Sequence, residues 1–163
     1  MSIILALIKA NVPTNFILTR DEEVGALGAR SISASARYYD LCEKLSVPAL
    51  IEFDRKGDSD IIGAFNGYCD RGLSDLVEEV SEGGYHSEHG VFTDLDYLVD
   101  GLGVQGVNLS CGYYNAHSTK EYLVLKDYEK AEKLAIKLAM MEWPEVFRAE
   151  GLVDYELDKG WIL

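Results

Sequence analysis

Carboxylates and one imidazole recur where the strands of this chain are expected to end. Glu22 and Glu23 follow the apolar run Phe16 to Thr19, Asp54 closes the run ALIEFD, and His117 follows GVNLS after a glycine and two tyrosines. In open α/β sheets, ligands gather at the carboxyl ends of strands. Adjacent carboxylates such as Glu22 and Glu23 point in different directions. One can therefore bind a metal while the other acts as a base on metal-bound water. Oxygen and imidazole donors together suit zinc, or less selectively manganese or cobalt. An acid pair at a helix N-terminus also has a plain electrostatic use, because it favours the macrodipole. The residue types by themselves leave both uses open. His86 and His89, in the polar stretch HSEH, are possible substitute metal ligands, and the alternative is solvated loop residues. Tyr113 and Tyr114 are candidate walls of a substrate pocket. Cys111 has no base beside it in sequence and reads as a small buried residue.

The elements that must position these residues alternate along the chain. SIILALIKAN (2–11) reads as a helix that is apolar nearly all round, and Pro13 breaks the chain after it. FILT (16–19) reads as a buried strand, and GALGAR opens a helix running to about Leu45. ALIEFD is a second strand, DIIGAF a third at the sheet edge, and GVNLS a fourth. Leu73, Leu76, Val77 and Val80 mark a helix over 71–81, and DLDYLVDGLG is a short helix ended by glycine. SEGGYHSEHG and CGYYNAHSTKEY read as loops. The spacing of Ala131, Leu134, Ala135, Leu138 and Met141 predicts a helix over 127–143, capped by Asp127 and ended by Pro144. The alternation predicts one α/β domain over 1–163, a three-layer α/β/α sandwich with a mostly parallel, mixed sheet.

Composition sets outer bounds. Among 163 residues, 28 acids face 15 bases, for a net charge of −13. That balance argues against binding nucleic acid through its phosphates. It is compatible with binding cations. The longest apolar run, Ile3 to Ile8, is far short of the ~20 residues a membrane span needs. It also lacks the basic leader and small-residue cleavage site of a secretory signal. Three cysteines, Cys42, Cys69 and Cys111, suggest free thiols in a reducing cytoplasm.

Four ordered motifs carry a resemblance. TRDEEVGALGA resembles the TxxEEVGxxGA signature of zinc-dependent exopeptidases, the aminopeptidase clan with two co-catalytic zincs. FDRKGDSDII resembles that family's strand ending in a metal-binding Asp. GVFTDLDYL resembles the segment leading to its last strands, and VNLSCGYYNAHSTKEYL its final metal-binding His motif. Together they cover about residues 14 to 127. The resemblance implies Glu22 as general base, Glu23 and Asp54 as ligands of the two zincs, and His117 completing the zinc that Glu23 holds. It implies a peptide (amide) hydrolase of aminopeptidase type that uses a metal-activated water. Because a metal takes only neutral imidazole, activity is expected to fall below about pH 6.

The family also uses a His-x-Asp pair and a metal-bridging Asp upstream of the Glu-Glu motif. Only 21 residues precede Glu22 here, and none is a histidine. The resemblance therefore implies the C-terminal half of the catalytic domain, a truncated zinc-peptidase-like fold. The site is expected to need completion by a second copy or by a complementing N-terminal-half polypeptide. Uncovered strand edges, the greasy first helix and the ending GWIL point to such a partner surface. The second expectation, from another class, is a catalytically inactive remnant that works as a binding protein.

Overall fold

The structure is a computed structural model that describes residues 3–152. Helix α1 (Ile3–Lys9) is followed by an irregular stretch and a single 3-10 turn at Glu22–Val24. Helices α2 (Leu27–Ser33) and α3 (Ala36–Leu45) lead to strand β1 (Leu50–Arg55) and then β2 (Asp60–Ile62). Next come α4 (Arg71–Val80), β3 (His86–Glu88), α5 (Leu95–Leu102) and β4 (Gly106–Ser110). A short hairpin of β5 (Tyr113–Tyr114) and β6 (Tyr122–Leu123) precedes α6 (Leu125–Met140).

The four-stranded sheet has the order β1-β4-β2-β3. β1 pairs parallel with β4 and β2 parallel with β3, while β2 and β4 run antiparallel. The architecture is thus α/β with a mixed, mostly parallel sheet. Side-chain alternation along strands feeds two apolar clusters. Ile62 packs with Leu50, Leu95, Leu98, Val99 and Leu102, which joins the sheet to α5. Its neighbour Ile61 packs with Val107, Leu109, Leu73, Val77, Leu134 and Leu138, which joins the opposite side to α4 and α6. Ile3, Leu7 and Val12 close on Ala131 and Ala135 of α6, so α1 buries one stripe and leaves Leu5 and Ile8 exposed.

Several expectations fail for identifiable reasons. FILT is not a buried strand: Phe16, Ile17 and Leu18 are 38%, 41% and 77% exposed, and their backbone groups make no hydrogen bonds. A strand exists only against a partner ladder, and this segment meets none among the described residues. The helix expected to run to Leu45 breaks at residues 34–35, where the Ala34 and Ser35 amides close back on Arg30 and Ile32. β2 lies inside the sheet and not at its edge. The edge position falls to His86–Glu88, in a stretch expected to be loop, because Asp60 offers it a ladder. Helix α6 begins at Leu125 with Val124 as its N-cap, so Asp127 is not the cap. The Asp127 carboxylate instead accepts the Tyr114 hydroxyl at 2.7 Å. α6 also ends before Pro144, where the Trp143 indole donates to the Leu138 carbonyl at 3.2 Å. The GWIL ending, including Trp161, lies outside the described residues. No helix among those described is long and apolar enough to cross a membrane.

Candidate functional site

Two glycines explain how the Glu-Glu motif is held. Gly25 sits at φ +99°, a left-handed turn that closes the 3-10 helix onto the Glu22 carbonyl. Gly28 lets α2 pass against the incoming chain: its amide donates to the Arg20 carbonyl at 3.0 Å, and a Cβ there would lie 2.6 Å from the Arg20 nitrogen. The motif is therefore a tight backbone wrap that presents both carboxylates from one short turn. It does not sit on a strand end, as the sequence reading had it.

Asp54 is placed by a bulge. Glu52 pairs with Asn108 but Arg55 with Ser110, so β1 spends one more residue than β4 over this span. Bulges of this kind re-aim side chains beside sites. The Asn108 side-chain oxygen fills the gap by accepting the Asp54 amide at 3.0 Å. His117 rides on the loop between β5 and β6 in a left-handed conformation, φ +59°. Its amide donates to Glu121 Oε2 at 3.1 Å.

These elements bring Glu23 and His117 into contact. His117 Nδ1 lies 3.3 Å from Glu23 Oε1. Two ligands of a tetrahedral zinc with bonds of about 2.0–2.1 Å are separated by about the same distance. Both side chains are about 70% exposed, so as a plain ion pair they would contribute little. Glu22 is partly buried, and its carboxyl is pushed above the ordinary value by burial and by the charges of Asp54, Glu23 and Asp94. Burial also raises Asp54, with Glu23 and Asp94 adding to it and His117 opposing. Besides burial, the charges of Asp54 and Glu23 thus raise Glu22 and those of Glu23 and Asp94 raise Asp54, while the one direct contact in the set is Glu23 with His117.

The structure adds residues that sequence reasoning missed. Glu52 is the last residue of β1 in register before the bulge, paired with Asn108. Its carboxyl is raised to about 8, first by burial, then by Asp54, Asp94 and Glu22, while the Thr93 hydroxyl it accepts lowers it. Thr93 also accepts Asn108 Nδ2 at 3.2 Å, so the threonine ties β1 to β4. Asp94 follows, 4% exposed, with one oxygen accepting the Thr19 hydroxyl. Its other oxygen, Oδ1, is the one buried side-chain polar atom among the described residues with no hydrogen-bond partner. Leaving such a group unmatched costs about 1–3 kcal/mol, more when it is charged. The period-two spacing of LIEFD could have revealed Glu52. Nothing local in FTDLDYL distinguishes Asp94 from Asp96, which accepts the Thr93 amide and the Tyr68 hydroxyl, each at 2.8 Å.

Other candidates are placed elsewhere or used otherwise. His86 and His89 belong to and follow β3, three ladder steps from β1, or about 14 Å at ordinary strand spacing. The His89 ring stacks on Phe65 at 4.7 Å. Neither histidine is brought to the carboxylates. Tyr113 reaches the site, its hydroxyl donating to the Asp54 carbonyl at 3.0 Å. Tyr114 turns to Asp127 and stacks on Tyr122 at 5.3 Å. Burial pushes the Cys111 thiol up to about 12, with Asp54 adding, so it is no nucleophile. Tyr113→Phe is expected to cost about 1 kcal/mol of stability by removing one hydrogen bond. Urea unfolding of the two proteins side by side would measure it.

The donor types fit a divalent cation. The acids raise one another, and His117 opposes the rise at both Glu22 and Asp54. Glu23 and His117 are the one pair of these donors in contact, two ligands where a zinc site ordinarily takes at least three from the protein. Among the described residues, no three His, Cys, Asp or Glu side chains form a group able to hold a metal ion. No family model, curated protein or solved structure matches this chain.

Proposed function

We propose that this chain carries part of the active site of a metallo-hydrolase of the zinc aminopeptidase type, cleaving peptide or related amide bonds. On this reading the fold is the C-terminal half of a three-layer zinc-peptidase-like sandwich, working in the cytoplasm. The observation that carries it is the approach of Glu23 and His117, from two separate segments, to a ligand-to-ligand distance, with Glu22 next to Glu23 in the same short turn. Zinc, or manganese or cobalt in its place, would supply Lewis acidity and a water of lowered pKa. Glu23 and His117 would hold the ion, and Asp54 would contribute from β1. Glu22 keeps its proton more readily than an ordinary glutamate. That suits a group that accepts a proton from water and returns it to a leaving amine. Tyr113 walls the pocket from the Asp54 side.

Among the described residues the ligand shell is incomplete. A second copy of this chain or a complementing N-terminal-half polypeptide would supply the remaining ligands. The exposed stretch Phe16 to Leu18 and the open edge of β1 offer it a surface. The test is zinc titration of the purified chain, followed by aminoacyl-amide hydrolysis. Glu22→Gln is expected to abolish turnover by about a hundredfold or more while leaving zinc content unchanged. His117→Ala is expected to lower zinc content. Zinc content lost in Glu22→Gln but kept in His117→Ala would refute these roles. Full stability with no zinc uptake would favour the second reading, an inactive remnant acting as a binding protein. The missing third ligand is what favours that reading.

A further inference from the structure

The two edges of the four-stranded sheet are finished differently. β3 is three residues long and leaves His86 and Glu88 in solvent. A short, polar edge discourages further pairing. β1 has six residues, and its Leu50, Ile51 and Phe53 carry no such guard. The Leu50 amide donates to the Gln105 carbonyl at 2.9 Å, so Leu50 and Glu52 turn their backbone groups towards β4. Alternation then turns the amides and carbonyls of Ile51 and Phe53 outward. Among the described residues, those outward groups meet no hydrogen-bond partner. An unpaired apolar segment accompanies this edge. Val12 belongs to the cluster that packs on α6, and the Thr19 hydroxyl bonds Asp94 at the start of α5. Residues 13–18 thus pass from the α6 side of the sheet to the α5 side, with Phe16, Ile17 and Leu18 exposed on the way. β1 lies at both ends of that passage: Phe53 packs on the Val12 cluster, and Glu52 accepts the hydroxyl of Thr93, the neighbour of Asp94.

We infer that β1 is a docking edge for an extended, basic segment of a different polypeptide, which adds a strand to the sheet beyond β1. Main-chain bonds to Ile51 and Phe53 hold that strand, and Phe16 to Leu18 cover its apolar side chains. Charge selects the occupant. β1 ends in exposed Asp54, and Glu22 and Glu23 follow directly on the crossing segment. The bases nearest in sequence are already engaged, Arg55 with Asp60 at 3.0 Å and Arg20 with Asp21 at 3.6 Å. Among the described residues, neither Glu22 nor Asp54 has a basic side chain in ion-pair contact. A second copy would set a net charge of −13 against −13 and place the same acids on both sides of the new ladder. Like charges across a strand pair oppose pairing, whereas lysine or arginine side chains favour it. The inference narrows the partner named above, but it rests on the open edge alone and holds whether or not the chain takes up a metal.

Calorimetric titration of the full chain, in chelator, with a synthetic peptide of alternating valine and lysine and with its valine–glutamate counterpart tests this. The lysine peptide is expected to bind at least about tenfold more tightly than the glutamate peptide. Ile51→Pro removes one outward amide and leaves the Leu50 and Glu52 bonds to β4 in place. It is expected to weaken the lysine peptide by about tenfold or more. Undiminished binding to Ile51→Pro would mean that charge alone attracts the peptide, and the docking edge would be refuted. Amide exchange of the wild type, followed by NMR, serves where the variant folds poorly. The Ile51 and Phe53 amides should exchange freely in the chain alone and become protected with the lysine peptide. Protection already present in the chain alone, or none gained with peptide, would overturn the proposal. Sedimentation completes the test: a dimer that Ile51→Pro dissociates would make the occupant a second copy and refute the basic partner. Zinc enters none of these readouts, so failure here leaves the metal-site reading untouched.

Discussion

Gly112→Ala is expected to destabilise the fold by about 2–5 kcal/mol, combining left-handed strain with a backbone clash. Gly112 sits at φ +89°, and a Cβ there would lie 2.6 Å from the Tyr128 nitrogen and 3.0 Å from the Asp127 carbonyl carbon. Both contacts are with the first turn of α6, which cannot yield as a flexible side chain would. The same residue is hydrogen-bonded on both sides: its amide donates to the Gly57 carbonyl at 2.8 Å, and its carbonyl accepts the Val124 amide at 2.9 Å. The glycine therefore welds the turn after β1 to the hairpin that carries His117. If the proposed function holds, displacing it should shift the His117 loop and weaken zinc binding along with stability. Gly67→Ala is the natural comparison. Its φ is +76°, but nothing lies within 4 Å of the added carbon. It should cost about 1 kcal/mol, from strain alone. Urea unfolding of both variants gives the contrast, and equal losses would show that the close approach at Gly112 does not matter.

In chelator, stability should fall as pH rises from about 4.5 to about 8, and Glu52→Gln should flatten that slope. The Glu52 carboxyl is raised from 4.5 to about 8, chiefly by burial. Between those values the folded protein holds the proton and the unfolded chain has released it. The unfolded state thus binds fewer protons, and the linkage relation makes stability decline with increasing pH. At about 1.4 kcal/mol per pKa unit, the whole window amounts to about 5 kcal/mol. Glutamine keeps the shape and the bond to Thr93 without a charge to bury. The variant should match the wild type near pH 4.5 and exceed it by several kcal/mol at pH 8.5. Guanidinium unfolding at pH 4.5, 6.5 and 8.5 tests this, and parallel pH profiles for the two proteins would refute it.

What could be read beforehand follows from how local each feature is. Helices α4, α5 and α6 announce themselves through apolar residues at three- and four-residue steps, and the Gly103 cap ends α5 where expected. Strands β1 and β4 follow the runs ALIEFD and GVNLS, β4 buried along its whole length and β1 largely half-buried. FILT has the same appearance, yet it stays exposed and unpaired, because apolar composition creates a demand for a partner and does not supply one. The opposite error occurs at His86–Glu88, a polar stretch that becomes a strand because Asp60 to Ile62 offers it a ladder. Pairing is a property of two segments, and neither segment contains it alone.

The site divides along the same line. Residue type and spacing make Glu22, Glu23, Asp54 and His117 legible as potential donors, with a plain structural use equally open, and it is the resemblance that implies their roles. Glu52, Thr93 and Asp94 are ordinary in sequence. Only burial turns the first into a carboxyl raised to about 8, and only the closing of α5 on the Thr19 segment leaves Asp94 Oδ1 without a partner. The amino-acid sequence by itself determined which groups can donate to a cation and which segments carry an apolar face, because chemistry and periodicity are intrinsic to the chain. The tertiary structure alone decided which donors meet and which are stripped of water, because proximity and desolvation exist only once separate segments pack.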